Sequence, residues 1–306
     1  MSYKPDLHTQ YHGRFAPSPT GPLHYGSLYT AVASYLQARS NQGSWTLRIE
    51  NIDPAREPNG CIQSILDTLS GYGFVWDKKP YIQIKRVEYH LRVAQLLIAR
   101  GHAYRCQCSR KTLGHSAHTG KMGPIYPGTC RDLGLDSDTT QVIRVMTDHK
   151  QLSFYDRHYG MQSYDMARDS GDFVIVRSDK LPSYILAATI DDIQQGYTEI
   201  VRGNDLLPIT ARQVYLTELL GQPRCNFLHL PLITNEQGKK LSKQTHAPAV
   251  CKRHTRHILF NVLEDLGQSP PRKLRWGSLD SLWTWAIRHW DISRLPQCPA
   301  IVFKDR

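Results

Sequence analysis

The run from Gly13 to Ser27, GRFAPSPTGPLHYGS, sets a proline- and glycine-rich turn between a strand-like segment and a helix-like one. A short strand at about 13–16 feeds the turn, and a helix starts from about Ser27. Leu28, Ala31, Val32, Tyr35 and Leu36 then recur at the spacing of one buried helical face. A second strand follows, in which Trp45, Leu47 and Ile49 alternate with polar residues and Glu50 ends the run. Helical patterns at 61–69 and 87–99 come next. Strand–helix–strand order of this kind predicts parallel pairing and an open α/β sheet. Ligands of such sheets bind beyond the carboxyl ends of the strands, where the turn at 17–26 and Glu50 both fall.

Residues 103–190 break that rhythm with cysteines, a glycine/histidine-rich loop at 114–123 and strand-like pieces at Val142–Val145 and Phe173–Val176. The pattern resumes at 198–202, 209–220 and 227–234. The expected organisation is therefore the first half of a Rossmann-like domain at 1–102 and an inserted lobe at 103–190. The second half of the domain follows at 191–240, and a mostly helical, tryptophan-rich region at 241–306.

The chain of 306 residues is 40% hydrophobic and 21% charged, as ordinary globular proteins are. It has no run of roughly 20 apolar residues, and MSYKPDLHTQ has no signal-peptide core, so the expected location is cytoplasmic, with no membrane role. A net charge of +11, spread along the chain, favours a polyanionic partner.

Two stretches carry chemistry. The helix after the Gly13–Ser27 turn offers unpaired N–H groups and a positive dipole end to phosphate, and His24 can donate there. Ser27, at the helix start, suits a cap. Far along the chain, Lys239-Lys240-Leu241-Ser242-Lys243-Gln244 follows Gly238, placing clustered ammonium groups on a glycine-led loop. Such charges can meet a pyrophosphate leaving group.

Taken together, the stretches resemble the class I glutamyl-type aminoacyl-tRNA synthetases over roughly residues 13–250. Leu23-His24-Tyr25-Gly26-Ser27 resembles the HIGH signature, Lys240 to Gln244 resembles the KMSKS loop, and Arg14 to Gly21 (RFAPSPTG) is particular to the glutamate branch. Ser27 replaces the second histidine of HIGH, and Gln244 the last serine of KMSKS. The resemblance implies a class I Rossmann-like fold and a ligase that activates L-glutamate with ATP and Mg²⁺. His24 and Lys243 would be catalytic, and ATP would lie against His24, Gly26, Ser27, Lys240, Leu241, Ser242 and Lys243. Glutamate, with two carboxylates and one ammonium, would meet Arg14 and Arg202 through its carboxylates and Glu50 through its ammonium. Tyr184 would close that pocket, and Phe15, Ala16, Pro17 and Ser18 would line it. The family's acidic residue after the glutamate is Asn51 here.

Of seven cysteines, Cys106, Cys108 and Cys130 crowd together, which points to a metal such as structural Zn²⁺. Histidine is the commoner fourth ligand, which would favour His115 or His118; resemblance to the short glutamyl-type enzymes, with their C-x-C…Y-x₃-C pattern, points to Tyr126. Cys61, Cys225, Cys251 and Cys298 are scattered and read as packing residues.

Only 62 residues (306 − 244) follow Gln244, too few for an anticodon-reading domain. The resemblance is thus closest to a truncated branch that places glutamate on the queuosine base of tRNA(Asp). It implies a monomer that receives the anticodon stem-loop, with a shortened stem-contact region after the lysine loop. Two alternatives are a minimal synthetase charging the 3′ end of tRNA(Glu), and a non-catalytic zinc-containing RNA-binding protein.

Overall fold

The computed structural model describes residues 10–109, 119–136, 142–241, 248–251 and 253–304. The chain divides into two compact units. One comprises Met1–Tyr81, Tyr197–Asp205 and Cys225–Arg306; the other comprises Ile82–Gly196 and Leu206–Arg224.

In the first unit, strand β1 (His12–Phe15) runs into helix α1 (Tyr25–Ser40) and then strand β2 (Ser44–Ile49), which lies parallel to β1 with Arg14 opposite Thr46. Strands Glu199–Gly203 and Asn226–Leu230 are also parallel, with Arg202 opposite His229. The Thr198 N–H donates to the His12 carbonyl at 3.0 Å, tying the first of these strands to the start of β1. A third parallel pair joins Leu232–Thr234 to Ala300–Val302. The expected βαβ unit is present.

Helix α1 is buried on more than the one face its heptad-like spacing suggests. Ala31, Ala33 and Ala38 are sealed along with Leu28, Val32 and Leu36. Alanines let neighbours approach closely on several sides, and a helix enclosed all round is a core helix. Strand β2 differs from expectation in the same direction. Polar residues alternate with Trp45, Leu47 and Ile49 along it, yet Thr46 and Arg48 are buried too. A parallel sheet is covered on both faces, so its polar side chains must find partners indoors. Thr46 finds the Tyr197 hydroxyl at 2.8 Å, and Arg48 finds Glu50.

An aromatic cluster fills the same unit. Trp45 stacks on Phe74 (centroids 5.5 Å apart, planes 18°), and Tyr35 and Trp283 meet these rings edge-on. Both buried indoles are satisfied: Trp45 Nε1 donates to Ser34 and Trp283 Nε1 to the Tyr72 carbonyl. Such pairs contribute about 0.5–1.5 kcal/mol each beyond burial.

The second unit centres on an antiparallel sheet in which Val142–Val145 lies between Ala103–Cys106 and Phe173–Val176. A hairpin of Gln151–Asp156 and Gly160–Asp165 and the helices Val87–Ala99, Tyr184–Gln194 and Leu207–Leu219 complete it. Inside, Asp191 accepts from Gln83 at 2.8 Å and lies 2.9 Å from His90 Nε2, so this buried carboxylate is bonded on both oxygens. Among the described residues no helix is long and apolar enough to cross a membrane.

Candidate active site and thiol cluster

The turn after β1 is fastened to β2 by the Glu50 N–H, which donates to the Pro17 carbonyl at 3.0 Å. At its far end α1 begins at Tyr25. The cap is His24 and not Ser27: the Ser27 N–H donates to His24 Nδ1 at 3.3 Å, and the Ser27 hydroxyl lies 3.1 Å from Nε2. Gly26 permits this arrangement, since a Cβ there would stand 3.3 Å from the imidazole. Phe15 and Pro17 are buried, Ala16, Gly26 and Ser27 half-buried, and Ser18 exposed.

The lysine segment returns to this turn. Leu241 N–H donates to the Ile233 carbonyl at 2.8 Å, and Lys240 pairs with Thr234 across an antiparallel bridge. Beyond residues 242–247, Ala249 bridges His24 and the Val250 N–H donates to the Leu23 carbonyl at 2.9 Å. The far end of the segment is thus bonded to the HIGH-like turn across more than two hundred residues of chain, and Leu241 at the near end shares a cavity wall with Tyr25. A cavity of about 250 Å³ opens there, lined by Tyr25, Leu241, Ala249, Val250, Asn261 and Phe303 among others. Lys240 Nζ forms an ion pair with Asp205 at 2.6 Å. Ser242 and Lys243, expected to contact ATP, lie outside the described residues, as does Gln244.

Three charged residues expected to hold glutamate are buried at strand ends of the same unit: Arg14 (3% exposed), Glu50 (9%) and Arg202 (4%). Arg14 Nη1 donates to the Val201 carbonyl at 3.3 Å, so β1 and the strand carrying Arg202 are cross-linked at this level. Arg202 Nε donates to His229 Nε2 at 3.1 Å. That nitrogen must therefore be unprotonated, and the imidazole neutral in the Nδ1–H form. Glu50 is gripped by Arg48, whose Nε (3.3 Å) and Nη2 (2.9 Å) converge on Oε1. Asn51 donates to Glu57 at 3.2 Å. Tyr184 belongs to the other unit, where it opens the helix Tyr184–Gln194, capped by Ser183.

Sequence reading missed Arg48 and His229. Arg48 carries no motif of its own and was not singled out. His229 carries no local motif; only the parallel register opposite Arg202 reveals it.

In the second unit the sulfurs of Cys106, Cys108 and Cys130 all lie within 4.8 Å of one another. Cys108 and Cys130 sulfurs are 3.6 Å apart, and the Tyr126 oxygen lies 3.5 Å from Cys106 Sγ and 3.4 Å from Cys108 Sγ. Tetrahedral zinc with ordinary bond lengths demands S–S edges of about 3.8 Å and O–S edges of about 3.5 Å. The Cys108–Cys130 edge and the two edges from the Tyr126 oxygen fit that tetrahedron. The Cys130 N–H donates to the Tyr126 oxygen at 2.9 Å, as suits a phenolate. Burial first, then bonds with Cys106 and Cys108, push the phenol well above its usual range, so deprotonation needs a cation at the site. Arg144, also unforeseen, donates from Nε to Cys106 Sγ at 3.3 Å and lies 4.0 Å from the Tyr126 ring centre. It offsets part of the negative charge that thiolates would bring. His115 and His118 lie outside the described residues. Of the scattered cysteines, Cys61 is buried and Cys225 and Cys298 half-buried, but Cys251 is exposed and is not a packing residue.

Residues 10–273 match the family described as tRNA synthetases class I (E and Q), catalytic domain. Over 94% of its length the chain is 46% identical to a glutamyl-Q tRNA(Asp) synthetase of Chromobacterium violaceum, covering 96% of that protein. It is 44% identical to the glutamyl-Q tRNA(Asp) synthetase of Pseudomonas aeruginosa, over 96% of this chain and 98% of that one. Among solved structures, a glutamate tRNA ligase from Elizabethkingia meningosepticum in complex with its amino acid superimposes with a TM-score of 0.79 at 27% identity, over 97% of this chain and 67% of that one. With the chain that follows the lysine segment bonded to the HIGH-like turn, and buried arginines and a glutamate at the strand ends, the chain belongs to the class I tRNA synthetases of the glutamate and glutamine type, and within them to the glutamyl-Q tRNA(Asp) synthetase family.

Proposed function

We infer that this enzyme, an ATP-dependent ligase, activates L-glutamate and transfers it to the queuosine base of tRNA(Asp). What carries the reading is the return of the lysine segment to His24: Val250 N–H on Leu23 O, beside buried Arg14, Glu50 and Arg202.

In the first step a carboxylate oxygen of glutamate attacks the α-phosphorus of ATP, and the bond to the β,γ-pyrophosphate breaks. In the second, a hydroxyl of the modified base attacks the glutamyl carbonyl and AMP departs. Arg14 and Arg202 face the substrate carboxylates and Glu50 its ammonium. Arg48 keeps the Glu50 carboxylate in one orientation, so the ammonium meets a fixed acceptor. His24, Gly26 and Ser27 present the helix start to phosphate. Lys243 and its neighbours Lys240, Leu241 and Ser242 supply charge to the leaving group, a contribution of roughly 10²–10³ in rate per donor. Mg²⁺, bound with ATP, would neutralise phosphate charge. Zn²⁺, held by Cys106, Cys108, Tyr126 and Cys130, would act structurally, bracing the lobe. The enzyme is proposed to work as a monomer and to receive the anticodon stem-loop.

The test is transfer of radiolabelled glutamate to tRNA(Asp) with and without queuosine, and to tRNA(Glu). Label on queuosine-containing tRNA(Asp) alone is the expected result. Label on tRNA(Glu) would identify a 3′-charging enzyme instead, and absence of glutamate-dependent ATP–pyrophosphate exchange would rule out activation altogether.

A further inference from the structure

Trp276 is the most exposed large hydrophobic side chain among the described residues, 73% open to solvent. An indole left in water forgoes the stabilisation of burial, and such exposure marks a contact surface when other features converge on it. Here they do. Trp276 follows the 3₁₀ turn Arg272–Arg275. Arg256 Nη1 donates to the carbonyls of Trp276 (3.4 Å) and Gly277 (2.6 Å), pinning that turn to the helix Thr255–Asp265. From the same helix His257 meets the indole edge-on, centroids 5.4 Å apart and planes at 83°. The ring is braced by one neighbour set perpendicular to it, and most of its surface stays in solvent.

Positive charge gathers at this point. Between residues 253 and 276 the chain carries Arg253, Arg256, Arg272, Lys273 and Arg275 against only Glu264 and Asp265. The Tyr25 hydroxyl, moreover, donates to Asp265 at 2.6 Å. Arg253, Arg272 and Lys273 are exposed. His257 is held below its usual range, by partial burial first and then by the charges of Arg256, Arg275 and His254. Cations and indole therefore share one surface.

We propose that Trp276 is a stacking platform for one unpaired base of the RNA substrate, with Arg253, Arg272 and Lys273 neutralising the phosphates around it. A duplex keeps its base faces stacked inside, so an open indole gains nothing from a stem. A base splayed from a loop or a junction presents a free face, and stacking on an aromatic ring is sequence-tolerant. The surrounding cations match a phosphate backbone and would be poorly matched to an apolar protein surface. This inference rests on the RNA-directed function above and adds where, and by what contact, unpaired RNA is held.

The experiment is fluorescence anisotropy with two probes, the tRNA(Asp) anticodon hairpin and a blunt duplex of the same stem, using the full chain. Trp276→Ala should weaken hairpin binding roughly ten- to a hundredfold, leave duplex binding unchanged, and leave the melting temperature in place. Trp276→Tyr should retain hairpin affinity within about threefold, because the aromatic face persists. The pair Arg272→Gln, Lys273→Gln should lower the slope of log affinity against log salt by about 1–2 for both probes. Unchanged hairpin affinity in Trp276→Ala, or an equal loss for hairpin and duplex, would overturn the stacking role while the enzyme's function stands. If the unmutated protein binds neither probe yet exchanges pyrophosphate with glutamate, the platform is overturned without touching amino-acid activation. If it does neither, the function falls as well.

Discussion

At the strand ends, Arg14, Arg48, Glu50 and Arg202 are all at most 9% exposed; Arg14 and Arg202 are held by a carbonyl and a ring nitrogen of neighbouring strands, and Arg48 and Glu50 hold each other along one strand. In the thiol lobe, Cys106 and Cys130 are equally buried, but Cys108, Tyr126 and Cys130 come from irregular chain and mostly touch one another. The first region is preorganised by sheet geometry before any ligand arrives, and its three arginines outnumber its one carboxylate, Glu50. The second gathers groups whose metal-binding forms are all anionic and which could hold a metal ion. Buried polarity can thus be maintained by pairing within the fold or by an ion from outside, and the two should fail differently.

Arg202→Ala tests the first half of that contrast most severely. Loss of a buried carboxylate partner should lower kcat/KM for glutamate by at least about a thousandfold, with metal content unchanged. A loss below tenfold would place Arg202 outside the amino-acid site. Next, Arg48→Met should destabilise the fold by about 3 kcal/mol, since it strands Glu50 as a buried charge. Adding Glu50→Gln should recover part of that loss in a denaturation-based double-mutant cycle. Strict additivity would deny the pairing.

Removing metal should affect only the other region. Chelation, or Cys130→Ser, should abolish bound zinc in a stoichiometric metal assay and lower the melting temperature by roughly 5 °C. Zinc that survives Cys130→Ser would break the proposed ligand set.

The smallest effect belongs to Asp77. Burial pulls its carboxyl up, but bonds from Arg39 and the Trp45 N–H outweigh it and hold the group below its usual value. A carboxyl depressed by folding stabilises at pH above its unfolded value and loses that stabilisation as pH falls through the folded one. Asp77→Asn should therefore melt slightly lower than the parent at pH 7, and the two melting temperatures should converge as pH falls through the lowered value of the folded carboxyl. A gap that widens on acidification would reverse the sign.

What was legible in the sequence follows from how far apart the cooperating residues lie. The turn at Gly13–Ser27, helix α1 and the C-x-C and Y-x₃-C spacings are short-range: torsional preferences and a few residues of chain suffice to set them, and the structure has them where the residues said. The strands Val142–Val145 and Phe173–Val176 match residue for residue for the same reason.

Period-two alternation in β2 was legible as a strand but not as a doubly buried one, because alternation records polarity and not what covers it. The alternation alone did not reveal that Arg48 is fully sealed. Arg144 joins the thiol cluster only because an antiparallel register sets it opposite Tyr104, two residues before Cys106. The meeting of Val250 with Leu23, and of Arg202 with His229, is likewise a matter of strand pairing across distant chain. By itself the sequence determined which chemical groups this protein possesses and their local spacing. Only the tertiary structure decided which charges face one another, because hydrogen-bond register and two-sided burial are properties of packed sheets and not of any single segment.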